Sequence, residues 1–530
     1  MKVGSTRVTD VCLMFEVHQP LRLNRNFHLD VLARPQVTKD DLLELYFDNS
    51  LNRHIFDRAA RKCYLPANKI ILEEIEKLKH EERPFKLSYG ISGVFVEQCQ
   101  SWNKKLLESF QKIADTGCVE FLEETYYHSL SSLFGLERHE FVEQIKMHRD
   151  LMKDLFGYEP EVFENTECLY NNAIAETVAC LGYQGIVTEG TERILSWRNP
   201  NYIYRAKGSP IAVLLRNYRL SDDIGFRFSS RWWSEWPLTA QKYASWLAST
   251  QGETICIFID YETFGEHHWP DSGIHEFLKW LPGEVLKWKH LNWSTPSQII
   301  KAHEPVGEID VHEYNTVSWA DLERDPSAWL SNPMQIVSHE TLKGLESLVK
   351  GLGDPKWLRL WRYFQMSDHL YYMSIKGGGS GDVHSYFNPS GNPIDAFVSF
   401  SNINSDFEAR VLQELQKPEL AAKWIMRRLP FEKGFTFFHG FARPTNITAS
   451  SLPEFLEGLK RVPIQSVEYH VERGDFERWI SQVLGDRKLA KKIASIGQED
   501  LSGERRRKKL IAVTGARIKQ LDTMAATVEV

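Results

Sequence analysis

Asp260, Glu262, His267, His268 and Trp269 fall within ten residues, directly after the apolar run Ile255–Ile259. A lone acid after such a run is most often a loop or helix cap. This density is instead what a reaction centre looks like where a buried parallel strand ends. Carboxyl groups placed there can attack, protonate or deprotonate a substrate. Other apolar runs end the same way. The first runs into Glu16-Val17-His18-Gln19-Pro20, and the second leads to Ser92 and Glu97-Gln98. The third gives Glu123-Glu124-Thr125-Tyr126-Tyr127-His128, the fourth Glu164-Asn165-Thr166-Glu167, and the sixth Arg219 to Asp223. Singly, each is as readily explained by packing or capping. Repeated at the same end of successive strands, they point to one shared face.

The positioning elements are seven strand-like runs: Val8–Val17, Phe85–Ile91, Val119–Tyr126, Val162–Thr166, Gly185–Thr188, Ile211–Arg216 and Ile255–Ile259. Helix-prone stretches such as Lys69–His80, Trp102–Asp115 and Arg138–Phe156 lie between them. Strand–helix alternation implies a parallel sheet, and seven units imply a barrel one short of eight. Residues 24–65 read as an insertion with its own helix, Asp40–Phe47. After residue 310 the pattern becomes helical, over Pro333–Lys350, Pro355–Ser374 and Pro393–Leu415, as in a bundle. Asp368 sits in the second of these, an acid in an apolar stretch, and so is expected to face the site or pair with a cation. Gly377–Asp382 reads as a flexible loop, without the strand-to-helix context of a phosphate loop. The capping box Ser451-Leu452-Pro453-Glu454 belongs to a further unit beginning near 432. The basic run Arg505–Lys509 reads as a solvated helix end. The expected fold is therefore α/β: an incomplete (β/α)7 barrel over 1–310, a helical bundle over 311–430, and a small α+β or helical domain over 432–530.

Bulk numbers bound the function. With 530 residues the chain exceeds one core, and 42% hydrophobic with 25% charged residues is ordinary for a globular protein. A net charge of −7 argues against nucleic-acid and anionic-membrane partners. No apolar segment reaches membrane-spanning length, and Met1–Asp10 lacks a signal-peptide core, so a cytoplasmic location is expected. The seven cysteines form no close pair and read as buried hydrophobes; no metal-ligand cluster of the His-x3-His kind is present, so no metal and no cofactor are expected. Of 16 tryptophans, 14 precede residue 362, an excess that favours a carbohydrate ligand stacking on aromatic faces. Trp319, with Trp269 and Trp329, is the expected stacking surface.

Five segments in order, His18-Gln19-Pro20, Glu97-Gln98, Asn165-Thr166-Glu167, Asp260-Tyr261-Glu262-Thr263-Phe264-Gly265 and Trp319–Trp329, resemble the ordered motifs of glycoside hydrolase family 57, in its α-amylase-like branch. They span residues 8–375. The resemblance implies an incomplete (β/α)7 barrel with a helical bundle, a retaining reaction on α-glucans, and no metal requirement. It places the nucleophile on Glu167 and the general acid/base on Asp260, and sugar-holding roles on His18, Glu97, Glu262 and Asp368. One position departs: Glu16 stands where many members carry a second histidine.

The residues themselves agree with this. Glycosidic cleavage needs two carboxyl groups across the scissile bond, and the proton donor of the pair must stay protonated near neutral pH. Glu164 is a rival nucleophile three residues before Glu167; the motif match favours Glu167. The expected substrate is an α-1,4-glucan such as glycogen, starch or a maltooligosaccharide. A 4-α-glucanotransferase or branching enzyme uses the same two carboxylates, and a non-catalytic glucan-binding protein is the alternative of another class. Oligomeric state is left open.

Overall fold

The computed structural model describes residues 8–33, 36–376 and 388–526; the Gly377–Asp382 loop lies outside them. The chain divides into two compact units, Met1–Glu340 with Arg362–Ser401, and Thr341–Trp361 with Asn402–Val530.

The strands of the first unit are β1 (Thr9–Val17), β2 (Leu87–Ile91), β3 (Val119–Phe121), β4 (Val162–Glu164), β5 (Gly185–Glu189), β6 (Tyr204–Ala206), β7 (Ala212–Arg216), β8 (Thr254–Asp260), β9 (Leu291–Trp293) and β10 (Glu308–Ile309). Nearly every residue of β1 and β8 is buried, so both faces of the strands are covered and the runs are continuously apolar. β8 pairs in parallel with β1 along its whole length, from Asp10↔Thr254 to Glu16↔Asp260. β1 pairs with β2, and β2 with β3, also in parallel. On the other side β4 pairs with β5 and β5 with β7. Two narrow joints connect these groups: a single parallel bridge between Glu123 and Phe163, and a single β7–β8 pair, Arg216↔Cys256. The result is an incomplete (β/α)7 barrel of parallel strands. All seven runs read from the sequence are strands here. The three extra pieces, β6, β9 and β10, are two or three residues long and too short to show a period.

Several elements differ from expectation for local reasons. The stretch Trp102–Asp115 is the second of two helices, Gly93–Trp102 and Lys104–Ala114, broken where Asn103 leaves helical geometry and accepts from Leu106 N–H. The stretch Pro355–Ser374 is likewise broken, into Pro355–Tyr363 and Ser367–Tyr371, because Met366 forms an antiparallel bridge with Ser129. The insertion helix is short, Leu42–Tyr46 after a 3-10 turn.

In the second unit a hairpin, β11 (Phe435–Gly440) and β12 (Arg443–Ala449), packs with helices around Phe437, Phe455, Phe476 and Trp479. Ser451 caps the helix Leu452–Arg461, as its sequence foretells. The basic run lies inside the helix Gly503–Ala525. It opens that helix with Arg505, Lys508 and Lys509 exposed, as a solvated helix end, while Arg506 pairs with Glu468, Lys509 with Glu499, and Arg507 donates to the Val462 carbonyl. No helix among the described residues is long and apolar enough to cross a membrane.

Candidate active site

The strand ends of the barrel bring the chemistry together. β4 ends at Glu164, and the chain then turns through Asn165 and Thr166 to Glu167, whose φ of 61° and ψ of 23° lie in the left-handed region; Cys168 follows at φ 54°. His128, after β3, has φ 47°. Such conformations cost non-glycine residues roughly 1–3 kcal/mol each and persist where surrounding bonds impose them. At Glu167 those bonds are visible. Its carbonyl accepts from Trp319 N–H at 3.2 Å and from Ser318 Oγ at 2.9 Å. Its carboxylate accepts from the Trp319 indole N–H at 2.7 Å and from Ser367 Oγ at 2.8 Å. Both oxygens are thus engaged on one side while the side chain keeps 16% of its surface open.

Asp260 ends β8 and is also partly open. Its pKa is raised to about 7, first by burial and then by the negative charge of Glu167; Arg216 and His128 act in the opposite direction. Glu167 and Asp260 therefore feel each other across the barrel mouth, and Asp260 is poised to carry a proton at neutral pH.

A paired-histidine layer lies beside them. His18 stacks on His128 with ring centroids 4.2 Å apart and planes 20° apart. Ser92 Oγ accepts from Phe95 N–H and lies 2.7 Å from His18 Nδ1, so its hydroxyl hydrogen is free to point there. His18 Nε2–H is then left to donate to Asp368 Oδ2 at 3.2 Å. Burial and the nearby His128 charge lower the His18 pKa, keeping the ring neutral. Burial raises Asp368, but the hydrogen bond from His18 and the charge of His128 outweigh it and hold the carboxyl well below the usual range. For His128 burial is again outweighed, by Glu124 and Glu167, and its pKa rises well above the usual value. Its Nε2 lies 3.6 Å from Glu167 Oε1.

The remaining expected residues are placed as follows. Glu262 is buried and accepts from Tyr64 Oη; burial and the Asp260 charge push its pKa up to about 8. Glu97 accepts from Tyr126 Oη at 2.9 Å and from Tyr363 Oη. Trp319 stacks on Phe258 at 5.0 Å, with the Arg216 guanidinium 5.6 Å from its ring centre. Trp329 does not fit its expected stacking role: it is 1% exposed, inside the core. Trp269 is 52% exposed, with the Lys62 ammonium 3.5 Å from its ring centre.

Four residues without an expected role complete the arrangement. Ser367 is a ligand of Glu167, as above. Arg216, the last residue of β7, donates to Glu189 at 2.9 Å, Asp222 at 2.7 Å and the Phe258 carbonyl at 2.7 Å. Arg324 reaches the same two acids, at 3.1 and 2.6 Å, and donates to the Trp319 carbonyl. His128 was visible only as one polar residue in an aromatic segment. A strand-end position was the signal for Arg216, and a place inside the Trp319–Trp329 motif was the signal for Arg324.

The profile "Glycosyl hydrolase family 57" matches residues 12–312, and a "Family of unknown function (DUF5752)" matches residues 397–513. A protein of Methanocaldococcus jannaschii named "Putative alpha-amylase" is 48% identical over 413 residues, 76% of this chain and 85% of that protein. The chain belongs to glycosyl hydrolase family 57, and it is an enzyme of that glycoside hydrolase and transglycosylase group. Among solved structures, a family 57 branching enzyme of Thermococcus kodakaraensis is similar with TM-score 0.51 and 14% identity, covering 77% of this chain and 94% of that one, a likeness of fold. The 4-alpha-glucanotransferase of Thermococcus litoralis matches at TM-score 0.46 and 17% identity over 72% of this chain; the chain spans about half that protein's length, 55%.

Proposed function

We propose that the protein is a retaining glycoside hydrolase acting on α-1,4-glucans by double displacement. Glu167 attacks the anomeric carbon. Asp260, protonated at rest, gives its proton to the leaving oxygen and then takes one from the incoming hydroxyl. The observation that carries this reading is the pairing of an engaged, part-open carboxylate at the end of β4 with a carboxyl at the end of β8 whose pKa is about 7 because of burial and that carboxylate's charge. A carboxyl that keeps its proton beside a carboxylate held by donors is what acid and nucleophile require.

His18, Asp368 and Trp319 serve as the sugar-binding wall: a neutral imidazole and an ionised carboxylate for hydroxyl groups, and an indole face for a ring. Glu97 and Glu262 hold the tyrosines around it. In the same reading residues 1–310 form the catalytic barrel, 311–430 a bundle that completes the site through Asp368, and 432–530 an appended domain.

The test is incubation with maltoheptaose, followed by chromatography and by NMR of the first-formed anomer. Glucose and maltose released as the α-anomer are expected. Products longer than the substrate would make the enzyme a 4-α-glucanotransferase or branching enzyme, with the same carboxyls in the same roles. A β-anomer would refute retention, and an unchanged substrate would leave a glucan-binding protein.

A further inference from the structure

Beneath the two proposed reacting carboxyls lies a second group of acids for which that chemistry has no use. Glu16, on β1, is 3% exposed, and Glu124 and Glu164 are fully buried. The one group within hydrogen-bond reach of Glu16 is another acid, Glu164; no N–H and no hydroxyl donates to either oxygen of Glu16, to Glu124 Oε1 or to Glu164 Oε2. Buried carboxylates without partners are costly, and native interiors rarely leave them so. The orphan oxygens converge. A Cβ built on Gly90 would stand 3.3 Å from Glu16 Oε2, 3.6 Å from Glu124 Oε1 and 3.9 Å from Glu164 Oε2. The glycine leaves that space unfilled by any side chain of its own.

His128 faces the other oxygens of two of these acids. Its Nδ1 lies 3.5 Å from Glu16 Oε1 and 3.4 Å from Glu124 Oε2. Charge-assisted N–H···O bonds run at about 2.7–2.9 Å, so neither contact is a good one. Bonds of about 2.1 Å from a tetrahedral ion instead place its ligand atoms about 3.4 Å apart. Among the described residues this is the one set of acids, histidines and cysteines whose ligand atoms come together in this way, all three within 4.8 Å of one another.

We infer that Glu16, Glu124 and His128 bind one divalent cation, held by two carboxylates and an imidazole, with a water as the fourth donor. A mixed oxygen and nitrogen set of this kind suits Zn2+ or Mn2+. The ion takes no part in bond cleavage. It neutralises the buried acids, and by occupying Nδ1 it leaves His128 Nε2–H directed at Glu167, the usual arrangement in which a metal-bound histidine gives its other N–H to a carboxylate. This site rests on the cluster alone and stands whether or not the glucan reading does.

The test uses the full chain, stripped with chelator and then dialysed against Zn2+ or Mn2+ alone. Metal analysis after gel filtration should find about one tightly held ion per chain, and thermal unfolding should move several degrees upward on loading. X-ray absorption should show a shell of nitrogen and oxygen only, at about 2.0–2.2 Å. Glu16→Gln and Glu124→Gln should each lose that ion, whereas ions held by surface histidines would persist in both. If neither variant folds, the native chain decides alone, by stoichiometric retention with that shell. Failure of the native chain to retain an ion, or equal retention by both variants, overturns the site and leaves protons or water to satisfy the acids.

Discussion

Replacing Trp319 by Phe keeps a ring on Phe258 but removes the N–H that reaches Glu167 Oε2 at 2.7 Å. A hydrogen bond to a charged group contributes about 1.5–3 kcal/mol. In double displacement Glu167 loses its charge when it attacks and regains it when the glycosyl group leaves. The indole therefore helps the second step more than the first. With about half the charge returned at that transition state, the loss is about 0.75–1.5 kcal/mol, or a roughly 4- to 12-fold fall in the rate of breakdown of the intermediate. With an aryl glycoside, whose first step is fast, kcat should fall by that factor. KM should fall more steeply than kcat, because attack by the fully charged carboxylate gives up half of the same bond and is eased by its loss; kcat/KM should therefore rise by up to the same factor, and glycosyl-enzyme should accumulate in a mass spectrum of the quenched reaction. Arg324 should give the same signature, because it clips the Trp319 carbonyl to Glu189 and Asp222. Arg324→Gln should lower kcat and KM together, Arg324→Lys should restore part of the loss, and the double variant should be no worse than Trp319→Phe alone. Trp319→Phe with no accumulation of intermediate, or effects that multiply in the double variant, would refute the argument.

Three further outcomes are expected. Glu167→Ala with azide should yield a glycosyl azide of inverted configuration, and Asp260→Ala a retained one; swapped products would reverse the two roles. In chelator-treated protein the acid form of Asp260 is the active one, so kcat/KM should fall as pH rises through about 7, by roughly tenfold between pH 6 and pH 8 as the protonated fraction drops from about 0.91 to about 0.09; a flat profile over that range would count against Asp260 as the acid. Asp368→Asn keeps the shape but removes the charge facing His18, and should raise KM for maltooligosaccharides with little change in thermal unfolding; an unchanged KM would remove Asp368 from the sugar-binding wall.

The barrel was legible because strands covered on both faces must be apolar, and most such runs visibly stopped at an acid. Ile255–Ile259 followed by Asp260 is the plainest case. Trp319 could be read from its segment, and Asp368 from being an acid among apolar neighbours. What stayed hidden depends on partners distant in sequence. Met366 sits in a run as apolar as any helix, and only its pairing with Ser129 breaks that helix. Trp329 and Trp319 lie ten residues apart in one segment, yet one is sealed in the core and the other meets Glu167. The Phe435–Gly440 strand is buried at alternate aromatic positions, but its third and fourth residues are both Phe, which blurs the period of two. Arg324 and Arg216 are 108 residues apart and share two acids, a relation no local pattern records.

The joints of the ring have a mechanical meaning. β8, β1, β2 and β3 form one continuous arc, and β4, β5 and β7 another. Between them run two seams, each only a strand pair wide, at Glu123–Phe163 and at Arg216–Cys256. Glu167 rides on the second arc and Asp260 on the first. The gap between attacking and protonating groups is therefore spanned by seams, not by uninterrupted ladder, and a small rocking of the arcs changes that gap without breaking either sheet. Arg216, bonded across one seam to the Phe258 carbonyl, acts as a rivet against that motion. Warming should therefore blunt the enzyme before it melts the fold.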